Sequence, residues 1–365
     1  MKKFLALMLA LVMALALVAC GQQKEPDVQE PQGPTDTDEV TYKVAMITDY
    51  GDITDQSFNQ TTYEACKAFA EANGVDFQYF KPAGDNTADR VAMIESAIDQ
   101  GYNVIVMPGY AFGAAIAETA PKFEDVKFIA LDVSAGDLGE GFVVPANLYC
   151  AVYQEELCGY MAGYAAVKLG YKNLGFLGGM AVPAVQRYGY GFVQGVDAAA
   201  AELELTDVKL NYAYGNQFFG DADITAAMDT WYAGGTEVVF ACGGSMFASV
   251  AAAAGAADGK VVGVDVDQST ESDTVITSAM KGLADSVQWA LGKFYSNEFA
   301  SIGGVGTSLG ANENAVGLPT ATWSLTKWTV DEYNTMLKDI VDGKITIDSD
   351  YNNLKSTDNV TLNII

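Results

Sequence analysis

The chain has 365 residues, of which 50% are hydrophobic and 18% are charged, and its formal net charge at pH 7 is −27. This acidic balance argues against nucleic-acid backbones and anionic lipid surfaces as partners. The sequence contains no histidine, which excludes Ser-His-Asp and Cys-His catalysis and all metal sites built on histidine.

The beginning of the chain is typical of a bacterial export signal. Two lysines precede an apolar run that ends at Ala19, and the stretch Leu17-Val18-Ala19-Cys20-Gly21 resembles a lipobox. We therefore expect residues 1–19 to be a signal peptide and Cys20 to carry a lipid, with a plain signal peptide as the alternative. A lipid chain would hold the protein at the extracytoplasmic face of the cell membrane without spanning it.

Residues 20–40 are expected to be a disordered tether between this lipid anchor and the folded part. Three prolines, several acids and several glutamines lie in 22–39, with few apolar residues. A segment of this composition is too polar to pack. The part of the chain that follows is long enough for two domains of ordinary size.

From residue 40 onward, strand-like and helix-like segments alternate. The predicted strands are 43–47, 75–80, 103–107, 126–131, 141–144, 173–177, 207–213, 237–241, 260–264 and 275–278. The predicted helices are 58–72, 87–99, 111–119, 153–169, 184–202, 221–233, 246–257, 280–299 and 331–342. Apolar strands alternating with helices indicate an α/β fold with parallel sheets covered on both faces. The number of strands favours two βαβ domains over one open sheet.

Three breaks interrupt this alternation, near 145–152, after Asp267 and at 317–320. Three breaks are what a clamshell with three crossings between its halves would show. The first lobe is then predicted to comprise 41–147 plus 278–318, and the second lobe 148–277 plus 319–365.

The loop from Thr48 to Gln60 is the richest in candidate ligand groups. It follows an apolar strand and precedes a helix, and loops at this end of parallel strands are where α/β sheets bind ligands. Its acids can accept hydrogen bonds from hydroxyls, Phe58 can stack on a ring, and Asn59 can pair with both donors and acceptors. The alternative is that its Asp and Asn residues are only turn formers and helix caps.

Four cysteines lie beyond Cys20, and none is in CxxC spacing. They are Cys66, Cys150, Cys158 and Cys242. Export permits a disulfide, whose connectivity a sequence cannot give. We expect these residues to be small buried hydrophobes.

Four stretches in order resemble the basic membrane protein family of ABC-transporter substrate-binding lipoproteins, some of which bind purine nucleosides. They are Asp49 to Gln60, Phe128 to Asp132, Glu155 to Gly163 with Gly178-Gly179 and Gly191-Phe192, and Val262 to Gln268 with Thr277 to Lys281. The resemblance covers about residues 42–345. It implies a type I periplasmic-binding-protein fold, in which two Rossmann-like lobes joined by three crossings hold a ligand between them, and an ABC permease as membrane partner.

The resemblance also implies a set of ligand-binding residues. They are Asp49, Phe58, Asn59, Asp132, Tyr188, Phe219, Asp265 and Lys281. Phe218 is a rival to Phe219 by one position, and Gly243 to Phe247 departs from the family's Gly-Gly-Thr-Gly. No cofactor, metal or catalytic residue is implied, and a monomer is expected.

These residue types suit a nucleoside. The base could stack between Phe58 and an aromatic of the second lobe, either Tyr188 or Phe219. Asp265 or Asp132 could accept ribose hydroxyls, Asn59 or Asp49 could contact the base edge, and Lys281 could balance the buried acids. An alternative is that Asp132 and Lys281 form only a hinge salt bridge.

Other functions stay open at this point. The absence of a GxxxxGK run and the acidic balance favour a nucleoside over a nucleotide. Another small polar ligand, such as a sugar, is an alternative. The run Asp49 to Asp55 superficially resembles the calcium-binding start of nucleoside hydrolases, but Ile47 stands where a first acid is needed. A transcription regulator would need an N-terminal DNA-binding domain in place of the signal and tether.

Overall fold

The protein is described by a computed structural model over residues 42–365. The predicted signal peptide, Cys20 and the tether lie outside these described residues. Among residues 42–365, no helix is both long enough and apolar enough to cross a membrane.

Strands and helices alternate along most of the described chain. The strands are β1 (Lys43–Ile47), β2 (Asp76–Phe80), β3 (Val104–Pro108), β4 (Lys127–Leu131), β5 (Leu148–Tyr153), β6 (Asn173–Gly178), β7 (Val208–Tyr214), β8 (Val238–Cys242), β9 (Lys260–Asp265), β10 (Val275–Lys281), β11 (Val305–Leu309), β12 (Val316–Gly317) and β13 (Val360–Ile364). The helices are α1 (Phe58–Asn73), α2 (Thr87–Asp99), α3 (Gly113–Thr119), α4 (Glu155–Leu169), α5 (Pro183–Glu202), α6 (Ala222–Ala233), α7 (Met246–Ala256), α8 (Leu283–Tyr295) and α9 (Val330–Val341).

The strands form two sheets, each the centre of one lobe. The first sheet has the order β11-β5-β4-β3-β1-β2, and all its pairs are parallel. The second has the order β12-β10-β9-β8-β6-β7-β13, and only the β10–β12 pair is antiparallel. Apart from β13, the two orders correspond strand by strand, so β4 in the first lobe and β9 in the second occupy equivalent places.

Both faces of the first sheet are buried. Val44 and Met46 join one buried cluster, whereas Ala45 and Ile47 join another. Successive side chains of a strand point to opposite faces, so this alternation places a hydrophobic layer on each side of β1. The near-continuous apolar strands of the sequence follow from this double burial.

The chain passes between the lobes three times, which confirms the predicted number of crossings. The first passage lies between Tyr153 and Glu155, the second follows Lys281, and the third lies between Leu309 and Val316. Each passage begins at the end of a strand. The start of α4 and the end of β10 are therefore both in the hinge.

The strand pairing moves each predicted lobe boundary by a few residues. Leu148–Tyr153 pairs with β4 in the first sheet, so this lobe extends past residue 147. The whole of β10 and β12 belongs to the second sheet. The predicted boundaries at 277/278 and 318/319 would instead assign the end of β10 and all of β12 to the first lobe. Two of the predicted breaks lie at loops that contain proline and one lies in the polar run after Asp267, whereas the chain crosses at strand ends.

Two other segments differ from the sequence predictions. Residues 141–144 form no strand, because Gly139 and Gly141 have positive φ and Pro145 follows, so the chain turns here before β5. The helix predicted over 280–299 begins only at Leu283, since β10 continues through Lys281. Three strands, β11, β12 and β13, were not predicted. The two longer ones are half-exposed edge strands, and β12 has only two residues, so none shows a long apolar run.

Helices α4 and α5 pack closely against each other across glycines. A Cβ atom on Gly191 would overlap the backbone of Glu156, and one on Gly159 would overlap the carbonyl of Tyr188. Only glycine permits this approach of two helix backbones. The packing fixes the first turn of α4 beside the first turns of α5, where Glu155 contacts Arg187.

The four cysteines of the described residues are free and buried, as predicted. They are Cys66, Cys150, Cys158 and Cys242. Burial raises the pKa of all four thiols. They serve as small apolar side chains of the core.

Candidate functional site

A cavity of about 390 Å³ lies between the lobes, at the carboxyl ends of the parallel strands. This is the position at which α/β sheets hold ligands, and the volume lies in the range of small-molecule sites. All the side chains predicted to bind ligand line this cavity: Asp49, Phe58, Asn59, Asp132, Tyr188, Phe219, Asp265 and Lys281.

The loop after β1 is held in shape by Asp55. Its buried carboxylate accepts hydrogen bonds from the backbone N–H groups of Ser57, Asn59 and Gln60 at 2.9–3.0 Å. Asp55 therefore satisfies the free N–H groups at the start of α1, as a capping residue does. This structural role directs Phe58 and Asn59 toward the cavity.

Asp49 is fixed by its own loop. Its Oδ1 accepts hydrogen bonds from the backbone N–H groups of Tyr50 (2.6 Å) and Gly51 (2.8 Å). A Cβ atom on Gly109, whose φ is +119°, would lie 2.8 Å from Oδ2, so glycine is needed there to admit the carboxylate. Burial raises the pKa of Asp49, and the two backbone donors oppose this effect.

Asp132 and Asp265 occupy equivalent positions in the two lobes. Asp132 directly follows β4 and Asp265 ends β9, and their φ angles are +57° and +64°. Left-handed backbone is uncommon for residues other than glycine, and it clusters at ligand sites. The two carboxylates therefore approach the cavity from opposite lobes by the same backbone geometry.

Lys281 is the central cation of the hinge. Its Nζ lies 2.7 Å from Asp132 Oδ2, 3.1 Å from Glu155 Oε1 and 4.0 Å from Asp265 Oδ1. Burial disfavours the charge, but the three carboxylates outweigh burial and raise the pKa of Lys281. For Asp132, burial is the largest influence and raises its pKa to about 6, although Lys281 opposes this shift.

Three aromatic rings surround the same ammonium group. Lys281 Nζ lies 4.9 Å from the ring centroid of Phe58, 5.2 Å from that of Tyr153 and 5.5 Å from that of Tyr188. At these distances the ring faces attract a cation. The Asp132–Lys281 salt bridge of the hinge alternative is present, and both residues also line the cavity.

A second cation, Arg187, extends this network along α5. Its Nε donates to Glu155 Oε2 at 2.5 Å, and its guanidinium lies over the ring of Tyr351, 5.5 Å from the centroid. The neighbouring Glu156 is buried without a cation of its own. Burial, and then the charge of Glu155, raise the pKa of Glu156 to about 7.

The second lobe contributes its aromatics unequally. Tyr188 is 2% exposed and donates its hydroxyl to Asp265 Oδ1 at 3.1 Å, whereas Phe219 is 57% exposed at the rim. Phe218 lies on the cavity wall, with its ring centroid 6.3 Å from that of Tyr50 in the first lobe. Ser245, in the segment that departs from the family pattern, donates to the carbonyl of Phe218 at 3.3 Å. Phe218 is thus better placed than Phe219 to meet a ring.

Direct hydrogen bonds join the lobes beside the cavity. The Ser57 hydroxyl donates to Asp265 Oδ2 at 2.5 Å, and Gln268 Nε2 donates to the carbonyl of Gln56 at 3.0 Å. Gln56 Nε2 in turn donates to Glu271 at 2.6 Å. All three bonds connect the start of α1 with the loop after β9, so opening the cleft would break them.

Three buried side-chain oxygens on the cavity wall have no hydrogen-bond partner among the described residues. They are the Tyr50 hydroxyl and two acceptor atoms, Asn59 Oδ1 and Asp132 Oδ1. A buried acceptor without a donor costs free energy of about 1–3 kcal/mol. Hydrogen-bond donors on a ligand would satisfy both acceptor atoms.

Several site residues were not identified from the sequence. Tyr50, Glu155, Arg187 and Tyr351 all border the cavity or its charge network. Tyr50 lies inside the loop from Thr48 to Gln60, Glu155 begins one of the stretches that resemble the family, and Arg187 directly precedes Tyr188. Their positions in the sequence therefore pointed to the site. Nothing in the sequence around Tyr351 indicates proximity to the cleft. Within residues 42–365, no group of three or more acids and cysteines is arranged to hold a metal ion.

A family model and several relatives match this sequence over most of its length. The family model described as "ABC transporter substrate-binding protein PnrA-like" matches residues 42–350. The chain is 26% identical to the "ABC transporter nucleoside-binding protein BmpA" of Lactococcus lactis, over 96% of this chain and 100% of that protein. It is 27% identical to "Basic membrane protein B" of Borreliella burgdorferi, over 76% of this chain and 81% of the relative.

Among solved structures, an ABC transporter solute-binding protein from Aeropyrum pernix superposes with a TM-score of 0.72 at 20% identity. The superposition covers 84% of this chain and 93% of that one. At this identity the likeness concerns the fold alone. It confirms the predicted type I periplasmic-binding-protein fold, with two α/β lobes around a central cleft.

Proposed function

This chain belongs to the Bmp family of PnrA-like ABC transporter substrate-binding proteins, and we propose that it captures an uncharged purine nucleoside between its lobes. The observation that carries the proposal is the composition of the cavity wall. Aromatic rings from both lobes, two opposed aspartates and two buried acceptors without partners surround one space. A nucleoside offers a flat ring and several hydroxyl donors to such a wall.

The aromatic residues account for the base. Phe58 enters from the first lobe, and Phe218 with Tyr50 forms an aromatic pair that spans the cleft. Stacking of a base on an aromatic side chain contributes about 1–3 kcal/mol. Asn59 Oδ1 is free to accept a hydrogen bond from the base edge, and Asp49 lies on the same wall of the first lobe.

The two equivalent aspartates account for the sugar. A carboxylate can accept two hydroxyl donors at once, and Asp132 Oδ1 is unpartnered and buried. Lys281 keeps Asp132 and Asp265 oriented and offsets their charge. We therefore assign the sugar to the part of the cavity beside Lys281 and Asp132, and the base to the part between Phe58 and the Tyr50–Phe218 pair.

An excess of acids on the wall favours an uncharged ligand. The carboxylates that line the cavity are Asp49, Asp52, Asp55, Asp132, Asp137 and Asp265, against the cations Lys81, Arg187 and Lys281. A phosphate group would add two negative charges to this surplus, at a cost that low dielectric increases. Nucleosides are therefore preferred over nucleotides.

The transport role follows from family membership, and its details are part of the proposal. We infer that Cys20 carries a lipid, that the tether holds the two lobes at the extracytoplasmic face of the membrane, and that the ligand-bound form delivers its cargo to an ABC permease. Replacing Cys20 by serine should release the protein into the medium and abolish incorporation of labelled palmitate, whereas a plain signal peptide would leave both unaffected.

The geometry of the loop after β1 favours binding over hydrolysis. Asp55 accepts three backbone hydrogen bonds at the start of α1, and Asp52 pairs with Lys81 at 3.1 Å. These two acids therefore serve local contacts and do not converge with Asp49 on one point. Incubation of the protein with inosine and calcium should release no hypoxanthine.

Identification of the natural ligand tests the proposal. Protein purified without denaturation and then unfolded should release a nucleoside detectable by mass spectrometry. Replacement of Phe58 and Asp265 by alanine should abolish this retention. Recovery of a free sugar from the unaltered protein would support the sugar alternative instead.

A further inference from the structure

The C-terminal loop, residues 348–359, approaches the cleft along helix α5. At one end, Asp348 N–H donates to Gln194 Oε1 at 2.8 Å, and Gln194 Nε2 donates back to the carbonyl of Asp348 at 3.0 Å. At the other end, the N–H of Asn359 donates to Asp197 Oδ1 at 2.8 Å. Both ends of the loop are thus fixed to the middle of α5.

Between these ends the loop extends to the first turns of α5. Tyr351 lies over Arg187, which precedes Gln194 by seven residues. A helix rises 1.5 Å per residue, so Arg187 is about 10 Å nearer to the cleft than Gln194. The loop therefore leaves α5 at Gln194, brings Tyr351 to the cavity and returns to Asp197.

Side chains within the loop hold its tip in place. Asp348 Oδ1 accepts the N–H of Asp350 at 2.8 Å, and Asp350 Oδ1 accepts the N–H of Asn352 at 3.0 Å. Asn353 Nδ2 donates to the other oxygen of Asp350 at 2.6 Å, and Lys355 pairs with Asp348 at 2.7 Å. These hydrogen bonds form a turn on each side of Tyr351 and fix the tip of the loop.

Tyr351 lines the cavity next to its charged, hinge-side network. Arg187, beneath its ring, is bonded to Glu155, and Glu155 lies 3.1 Å from Lys281, which contacts Asp132. This is the end of the cavity to which the proposed function assigns the sugar. A phenol there offers a ring face and a hydroxyl that both donates and accepts.

We propose that Tyr351 is a further specificity-determining residue, which contacts the pentose of the bound nucleoside and holds Arg187 against the cavity wall. This inference rests on the proposed function. It goes beyond the family match, because that match ends at residue 350 and Tyr351 lies just outside it. The hydroxyl of Tyr351 and one pentose hydroxyl should therefore act as a pair.

A thermodynamic cycle tests the pair. Binding of inosine and of its 2′-, 3′- and 5′-deoxy analogues is measured by calorimetry for the unaltered protein, Tyr351→Phe and Tyr351→Ala. We expect Tyr351→Ala to weaken inosine binding about tenfold and Tyr351→Phe about threefold, in line with the loss of one or two polar contacts. For one deoxy analogue, the loss on Tyr351→Phe should disappear, because its partner is already absent.

Two variants of neighbouring residues serve as controls. Lys355→Ala removes an ion pair on the outer side of the loop and should leave inosine affinity unchanged. Gln194→Ala detaches the loop from α5 without touching the cavity and should weaken binding in the same direction as Tyr351→Ala. Melting curves of all variants check that the fold is retained.

The outcomes separate the two proposals. If the unaltered protein binds no nucleoside, the proposed function fails and this inference fails with it. If the unaltered protein binds inosine but Tyr351→Ala binds it equally well, only the role of Tyr351 is overturned. Additive losses for all three deoxy analogues would also overturn the contact with the pentose.

Discussion

The hydroxyl of Ser57, at the start of α1 in the first lobe, donates a hydrogen bond of 2.5 Å to Asp265 at the end of β9 in the second. Asp265 also accepts a hydrogen bond from the hydroxyl of Tyr188 at 3.1 Å. Its carboxylate therefore links the first lobe to helix α5 of the second lobe. The residue proposed to bind the sugar is therefore also the residue that closes the cleft on that side. We therefore expect ligand binding and closure of the lobes to be coupled through Asp265.

Removal of this bond should weaken binding without changing the cavity surface. In Ser57→Ala, the closed form loses a hydrogen bond to a charged acceptor, which is worth about 1.5–3 kcal/mol. We expect nucleoside affinity to fall by about tenfold or more, and small-angle scattering should show a larger radius of gyration without ligand. Thr335→Ala, which removes a side-chain hydrogen bond to a helix carbonyl on α9 away from the cavity, is the control. Equal affinity of Ser57→Ala and the unaltered protein would contradict the coupling.

Loss of the central cation should destabilise the fold in a pH-dependent way. Lys281→Met leaves Asp132 buried without its partner and Glu155 paired with Arg187 alone, and removal of one partner of a buried ion pair typically costs about 3–5 kcal/mol. Without Lys281 the pKa of Asp132 rises further above its value of about 6, so the folded state binds more protons than the unfolded state. Stability of the variant should then fall as the pH rises from about 4 to 8.

Urea unfolding at several pH values measures this effect. The exposed pair Lys122–Glu118 offers a matched control, since Lys122→Met should cost less than about 1 kcal/mol at every pH. A constant deficit for Lys281→Met between pH 5 and pH 8 would show that the lost lysine acts by packing and not by charge.

The buried carboxyl group of Glu156 should lower the free energy of unfolding above neutral pH. Burial raises its pKa from 4.5 to about 7, so the folded state takes up a proton that the unfolded state releases between these values. Its contribution to stability is therefore lost as the pH rises from about 4.5 to 7. Glu156→Gln should match the unaltered protein near pH 4.5 and be more stable by up to about 3 kcal/mol at pH 8.

Thermal or chemical unfolding at pH 4.5 and pH 8 measures whether Glu156→Gln is more or less stable than the unaltered protein. Glu140→Gln, at an exposed loop position, should behave like the unaltered protein at both. A Glu156→Gln variant that is less stable at pH 8 would mean that the carboxylate is engaged in a favourable interaction and that its pKa is not raised.

The aromatic residues should differ in their effect on affinity. Phe58→Ala and Phe218→Ala remove rings from opposite walls and should each weaken nucleoside binding by about 10- to 100-fold, as expected for a lost base stack. Phe219 is 57% exposed, so Phe219→Ala should change affinity by no more than about threefold. Calorimetry with one nucleoside compares the three variants. A larger loss for Phe219 than for Phe218 would reverse the assignment made here.

The contrast between Asp132 and Tyr351 shows what the sequence could predict. Asp132 and Asp265 each lie at the carboxyl end of a buried apolar strand. In parallel sheets, ligands bind at the carboxyl ends of the strands. The resemblance to the family, whose motifs place an acid after each of these strands, was therefore enough to predict both as ligand-binding residues, and both line the cavity. Their shared left-handed backbone depends on the surrounding fold and was not predictable.

The residues that the sequence did not reveal depend on distant contacts. Tyr50 meets Phe218, and Tyr351 meets Arg187, only because the lobes and the C-terminal loop are folded together. The lobe boundaries were displaced for a similar reason, since Leu148–Tyr153 is recognisable as a first-lobe strand only by its pairing with β4. No periodicity within one segment reports such pairings.

Calorimetric titration of the unaltered protein with guanosine, adenosine, ribose and guanosine monophosphate tests the central claim most directly. The account predicts one site per chain for a purine nucleoside, with ribose and the nucleotide each at least about 100-fold weaker because one lacks the stacked base and the other adds charge. Tight binding of ribose alone, or of the nucleotide in preference to the nucleoside, would contradict it.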